Sequence, residues 1–412
     1  MGTRRSLVTL SLAFLLLVLT VGLIAAGGVA LADEPGVTAS EVKIGNTAPY
    51  SGPASAYGTI LKTSAAYFKM INDRRGVNGR KIVFISYDDG YSPPRTVEMT
   101  RKLVEQDHVL LDFAPLGTPC NSAIWSYMNR YKVPQLFVLT GASKWGDPKD
   151  HPWTMGWQPT YSSEAATYAK YILEKMPQAK IGILYQNDDY GKDYVNGFRR
   201  GLGDKGRKLI VMEQTYETTD PTIDSQIVNL KNIGANVFFD VTTPKFASQA
   251  IRKAYEIGWH PVHFLNNVSA SVGSVLKPAG LEASKGLVTA LYEKDVTDPR
   301  WEGDPGVKEY LAFMKKYYPQ GDATDGFNVT GYLEAQTMVY VLKRAGKNLS
   351  RANIMKVAAN IHDLRLPLLL PGVRIHTTPT DFYPIEQRQL ARFDGQRWEL
   401  FGKVYDVSGM SR

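Results

Sequence analysis

The sequence contains a single cysteine in 412 residues. Cys120 has no partner for an internal disulfide, so stability must come from burial, which a chain with 44% hydrophobic residues can supply. Lysine and arginine outnumber aspartate and glutamate by 48 to 40, but they are scattered, and the concentrated basic stripe of a nucleic-acid binder is missing. Neither G-x-G-x-x-G nor G-x-x-x-x-G-K-[ST] follows a strand-like run, which argues against a bound dinucleotide or a P-loop phosphate. No histidine or cysteine cluster has metal-ligand spacing. Beyond residue 32 no apolar run approaches the roughly 18 residues of a membrane-spanning helix. These absences point to a globular chain that uses no cofactor.

The first 32 residues read as an export leader. Arg4 and Arg5 open it, a dense apolar run extends from Leu7 to about Ile24, and Ala30-Leu31-Ala32 precedes Asp33. A basic start, an apolar run and an A-x-A site form the signature of a cleaved signal peptide. The apolar run could also serve as a membrane anchor, but small residues and a cleavage site close it. The twin arginines admit the twin-Arg route, although the strongly apolar run favours the general one. Removing the leader leaves 380 residues with net charge +6, enough for two domains outside the cytoplasm.

Short apolar runs then alternate with helix-period segments. Strands are expected at Val42–Thr47, Lys81–Tyr87, Val109–Phe113, Val133–Leu139 and Lys180–Tyr185, with others near 208–214, 236–240 and 262–265. Helices are expected over Tyr57–Arg75, 94–106, 119–131, 305–318 and 327–345, and a closing strand pair over 386–405 around Asp394-Gly395. The alternation predicts an α/β fold with parallel sheets flanked by helices. Loop 143–161, rich in Trp, Pro and Gly, is the expected first passage between domains. Asp88-Asp89-Gly90-Tyr91 and Asp188-Asp189-Tyr190-Gly191 each follow an apolar strand. Two similar α/β units would leave this echo, and so would the preference of strand-to-helix turns for Asp.

In a parallel sheet, ligands bind beyond the carboxyl ends of the strands. Gly117-Thr118-Pro119-Cys120-Asn121-Ser122 follows one such strand and opens a helix. With Thr118 as N-cap and Pro119 first in the helix, free N–H groups and a hydroxyl would favour a carboxylate there. Taken without further context, helix capping is the better explanation of the turn.

Several motifs in order resemble the branched-chain amino-acid (Leu/Ile/Val-type) periplasmic binding proteins. Ile44-Gly45-Asn46-Thr47-Ala48-Pro49-Tyr50-Ser51-Gly52-Pro53 with Tyr57-Gly58 resembles their opening. Gly76-Val77-Asn78-Gly79-Arg80-Lys81-Ile82 fits their first helix-to-strand turn, and Asp188-Asp189-Tyr190-Gly191 fits the first strand-to-helix turn of the second lobe. The resemblance covers nearly all of the mature chain. It implies two similar Rossmann-like lobes on a three-crossing hinge, the type I periplasmic binding architecture, in a monomer that serves the membrane permease of an ABC importer. Lobe 1 would comprise 40–160 plus 290–376, and lobe 2 would comprise 161–289 plus 377–412.

The resemblance also implies site residues. Thr118 would hold a ligand carboxylate, Thr140 and Ser143 would belong to a second carboxylate-binding loop, and Tyr57 and Tyr190 would face the cleft. Trp145, Trp153, Trp157, Tyr161, Phe246 and Phe327 are weaker candidates. One departure matters: amino-acid binders pair the ligand ammonium with an acidic residue in the second lobe, and the matching stretch Phe264–Ser269 has none. Either Asp240 supplies that charge, or the ligand is a small organic acid, plausibly aromatic, contacted by Asn266 or Asn267. The second expectation is favoured, because a buried unpaired ammonium is costly. A ligand-presenting sensor subunit would look the same in sequence. A hydrolase using Cys120 is the remote alternative, since no histidine is placed beside it by sequence and His260 and His263 flank Pro261 in a turn.

Overall fold

A computed structural model describes residues 34–408; the leader expected over 1–32 lies outside them. Two sheets organise the chain. The first has order β2-β1-β3-β4-β5, built from β1 (Glu41–Ala48), β2 (Lys81–Asp88), β3 (Leu111–Phe113), β4 (Gln135–Val138) and β5 (Thr154–Gly156), and all its pairings are parallel. The second has order β12-β11-β10-β9-β8-β6-β7. In it β6 (Ile181–Gln186), β7 (Ile210–Tyr216), β8 (Val237–Val241), β9 (Val262–Leu265) and β10 (Val288–Leu291) run parallel, and β11 (Gln387–Phe393) and β12 (Trp398–Asp406) close one edge antiparallel. Val237-Phe238-Phe239-Asp240-Val241 is buried at every position, as expected of a strand covered on both faces.

The strand expectations hold with small shifts. Strand 133–139 shortens to β4, where Phe137 takes φ +57° and the pairing with β5 slips between Leu136 and Val138. Loop 143–161 contains β5, three residues too short for sequence periodicity to reveal. Expected helix 94–106 is α-helical over Pro93–Arg101 and continues as a wider turn over Lys102–Gln106. The Asp pairs end strands of different sheets, and local bonding accounts for both. Asp88 Oδ1 accepts from the N–H of Tyr50, Ser51 and Gly90, and Asp188 Oδ1 accepts from those of Tyr190 and Gly191.

Helix α1 (Gly58–Asp73) packs on a later helix, Gly326–Ala345, across a very close crossing. A Cβ at Gly331 would lie 2.1 Å from the Ile60 carbonyl oxygen, so only glycine fits, and Ser64 Oγ donates to the Gly331 carbonyl at 3.0 Å.

Burial also encloses acids. Asp112 in β3 and Glu334 in Gly326–Ala345 are buried with both carboxyl oxygens unpartnered. Burial pushes Asp112 up to about 8 and Glu334 well above the carboxylate range. An unfolded chain releases these protons near pH 4, whereas the fold retains them. The stability associated with Asp112 is therefore fully present below about pH 4 and is lost as pH rises toward 8. Asp112→Asn should flatten the dependence: thermal melts at pH 5, 6.5 and 8 should show variant minus wild type moving in the variant's favour as pH rises. Parallel melting curves would refute this account.

Candidate functional site: a cleft between the two sheets

The carboxyl ends of the parallel strands of both sheets open onto one cleft, whose non-atom space, open mouth included, is about 960 Å³. The turn after β3 forms one wall. Gly117 takes φ +100°, and Thr118 and Pro119 begin helix Thr118–Arg130. Gly117, and not Thr118, is thus the N-cap residue. Thr118 instead lies in the first turn, where N–H groups lack intrahelical acceptors. Its hydroxyl is 2.7 Å from that of Thr140, and the Tyr161 hydroxyl lies beside both. The result is a small group of hydroxyls at the positive end of a helix, an arrangement suited to an anion.

Aromatic rings make most of the remaining wall. Tyr57 packs on Phe327 at 5.2 Å, and Tyr161 meets Tyr190 edge-on at 5.3 Å. Tyr91 lies over Gly117, and Trp398 closes the far side with its indole N–H donated to the Ala270 carbonyl. Among the described residues the buried Tyr190 hydroxyl has no hydrogen-bond partner. These rings come from both sheets and from the segments joining them.

The two halves are tied together on either side of the cleft. On one side Lys144 pairs with Asp189 at 2.8 Å, and Ser143 donates N–H and Oγ–H to Asp193 at 3.1 and 3.0 Å. On the other, Ser271 Oγ donates to Asp325 at 2.7 Å, and Lys277 reaches Asp322 at 3.4 Å. The chain passes from the first sheet to the second between β5 and β6, returns after β10, and enters the second sheet again at β11.

The family described as periplasmic binding protein has a profile that matches residues 41–396. The chain belongs to this family. The leucine-specific-binding protein of Salmonella typhimurium is 23% identical over 341 residues, which are 82% of this chain and 88% of that protein. A branched chain amino acid ABC transporter structure from Thermus thermophilus with bound valine superposes with TM-score 0.80 at 17% identity, covering 91% of this chain and 99% of that one. A solute binding protein of an ABC transporter from Rhodopseudomonas palustris BisB5, in complex with 3,4-dihydroxy benzoic acid, gives TM-score 0.74 at 18% identity, covering 89% and 97%. The architecture is that of a type I periplasmic binding protein.

Among the expected site residues, Tyr57, Thr118, Tyr190 and Asn267 line the binding-protein cleft, and Thr140 stands directly behind Thr118. Ser143 is engaged by Asp193. Asp240 is fully buried away from the lining; it accepts from Thr242 Oγ1 at 2.6 Å and contacts His263 Nε2 at 3.0 Å. Asn266 is also buried, with its amide donated to the Asp240 and Thr242 carbonyls. Both are consumed in holding strand ends together. Of the weaker candidates, Tyr161 and Phe327 line the cleft, whereas Trp145, Trp157 and Phe246 pack in cores and Trp153 against one. Cys120 is buried, and burial pushes its thiol far above the usual range, so no thiolate is available.

The lining residues that escaped the sequence reading include Tyr91, Gln158 and Glu293. Tyr91 follows the first Asp pair as Tyr190 follows the second, and that echo could have revealed it. Glu293 follows a strand, β10, that periodicity did not separate from its surroundings.

A Cβ at Gly117 would sit 2.5 Å from the Tyr91 ring, and its positive φ disfavours any other residue. Gly117→Ala should cost about 1–2 kcal/mol in denaturant unfolding and should weaken ligand binding by displacing Tyr91 from the cleft wall. Unchanged stability and affinity would contradict this role for the turn.

Proposed function

We propose that this chain is the solute-binding component of an ABC importer and captures a small carboxylate-bearing ligand, an aromatic or other organic acid in preference to an α-amino acid. Closure would bring together lobes of 40–160 plus 290–376 and 161–289 plus 377–412 about the connecting segments, in the periplasm after removal of the leader. The observation that carries the reading is the Thr118–Thr140 hydroxyl pair at a helix start, facing a cleft walled by aromatic rings. The fold accommodates both ligand types, since one relative holds valine and another 3,4-dihydroxy benzoic acid.

The acid side of the cleft favours the organic acid. Asp240 already serves His263 and Thr242 and does not reach the lining. Glu293 does line the cleft, but burial pushes it up to about 8, so it meets a ligand largely uncharged at neutral pH. Asp295 lines the cleft too, but its Oδ1 already accepts from the Thr297 N–H and Oγ1 and its Oδ2 from the Trp398 N–H. An ammonium would therefore find no unengaged counter-charge. Tyr57, Tyr190 and Phe327 provide ring surfaces, which favour offset or edge-on contact with an aromatic ligand.

Calorimetric titration with benzoate, 3,4-dihydroxybenzoate, valine and leucine should give tighter binding of the aromatic acids; tighter leucine or valine binding would reverse the reading. Thr118→Val should weaken acid binding by about 10- to 100-fold, the cost of one hydrogen bond to a charged group. The same variant should lower unfolding stability by only about 1–3 kcal/mol, the cost of the lost bond to Thr140, so a variant that still melts cooperatively but binds weakly has lost anchoring and not its fold.

A further inference from the structure

Glu293 lies in the segment that returns from β10 to the first sheet, held there by bridge pairing with Leu369. Its two carboxyl oxygens are treated differently. Oε2 accepts from Thr330 Oγ1 at 3.0 Å. The Tyr292 hydroxyl bonds electrostatically to the same carboxyl, yet among the described residues the buried Oε1 has no partner in hydrogen-bond geometry. Nor is a cation at hand. The adjacent Lys294 turns away to Asp304 at 2.7 Å and lies over the Trp301 ring, and among the described residues Glu293 makes no ion pair. A second buried acid, Glu334, stands close enough to act on it electrostatically.

A buried polar oxygen left unpaired costs about 1–3 kcal/mol, and the residue that carries this one lines the cleft. We propose that Glu293 is a specificity-determining residue whose Oε1 forms a hydrogen bond with a hydroxyl that the ligand carries away from its carboxylate, since a hydroxyl can both donate and accept. The ligand class is then a hydroxylated organic acid, anchored by its carboxylate at Thr118 and read by its hydroxyl at Glu293. The inference rests on the organic-acid reading of the cleft and deepens it. A hydroxyl suits the site better than an ammonium: a neutral partner satisfies Oε1 without requiring an ionised pair beside Glu334 in an apolar wall. A site built to bond a hydroxyl also discriminates strongly against the analogue that lacks it, because the buried polar oxygen is then left unpaired.

The test is calorimetry on the mature full chain with benzoate, 3-hydroxybenzoate and 4-hydroxybenzoate, for wild type, Glu293→Gln and Glu293→Met. On wild type at least one hydroxybenzoate should bind about 10-fold or more tightly than benzoate. Glu293→Gln retains an acceptor oxygen and should keep most of that preference. Glu293→Met has similar length but no hydrogen-bonding group, and should bring the three affinities within about 3-fold of one another. The proposal is overturned if Glu293→Met keeps the wild-type preference, or if wild type does not distinguish the three acids. The second result needs no variant, so a misfolded Glu293→Met would not shield the idea. Failure of every acid to bind wild type overturns the organic-acid reading as well, and the benzoate measurement tells the two failures apart.

Discussion

Parallel strand direction is the constraint on which the rest of this structure depends. Because β1 to β5, and separately β6 to β10, run the same way, each sheet delivers its strand-to-helix turns to one edge. The two edges face each other. Residues far apart in sequence, such as Tyr57, Thr118, Tyr190 and Asn267, therefore meet in one cleft without any of them lying on a regular element's interior. Each turn also leaves first-turn N–H groups without intrahelical acceptors, so the same geometry that gathers the side chains supplies the donors.

Polar residues at these edges divide by what already satisfies them. Glu164 accepts from the Tyr168 and Tyr194 hydroxyls and from the Asn267 N–H, and the Arg388 guanidinium beside it, on β11, opposes the upward push of burial on its carboxyl. Asp240, Asn266 and His263 are bound among themselves and to neighbouring strand ends. Such networks tie the second sheet's edge together, and the one oxygen they leave unpaired, Asn266 Oδ1, belongs to a residue outside the cleft lining. Among the described residues the Tyr190 hydroxyl and Glu293 Oε1 are buried without partners, and both residues line the cleft. In a low-dielectric wall an unsatisfied group is the costly one, and it is where a bound molecule gains most.

Much of the fold was legible because burial on both faces leaves parallel strands as continuous apolar runs, and Val237–Val241 and Ile181–Gln186 are plain examples. The short β5 was not legible, since three residues establish no period. Site residues followed the same divide. Thr118 and Tyr190 could be found because each sits in a turn with a local signature, Thr-Pro opening a helix and Asp-Asp-Tyr-Gly capping one. Glu293 carries no such signature. Its neighbours Thr330 and Leu369 lie far along the chain, and its exposure to the cleft arises only when the returning segment packs between the sheets.

Alternating periods of hydrophobicity, turn chemistry and capping are local properties, and from them the sequence by itself determined an α/β chain with parallel sheets and a carboxylate-suited turn at Thr118. Which acids remain available is not local. Asp240 and Glu293 both follow or end apolar strands, and nothing in their immediate neighbours separates them. The tertiary structure decided that Asp240 would be spent on His263 and Thr242 while Glu293 kept one oxygen free at the cleft. The physical reason is that a buried carboxyl's role depends on which distant donors packing brings within bonding reach, and a strand's own residues do not specify them.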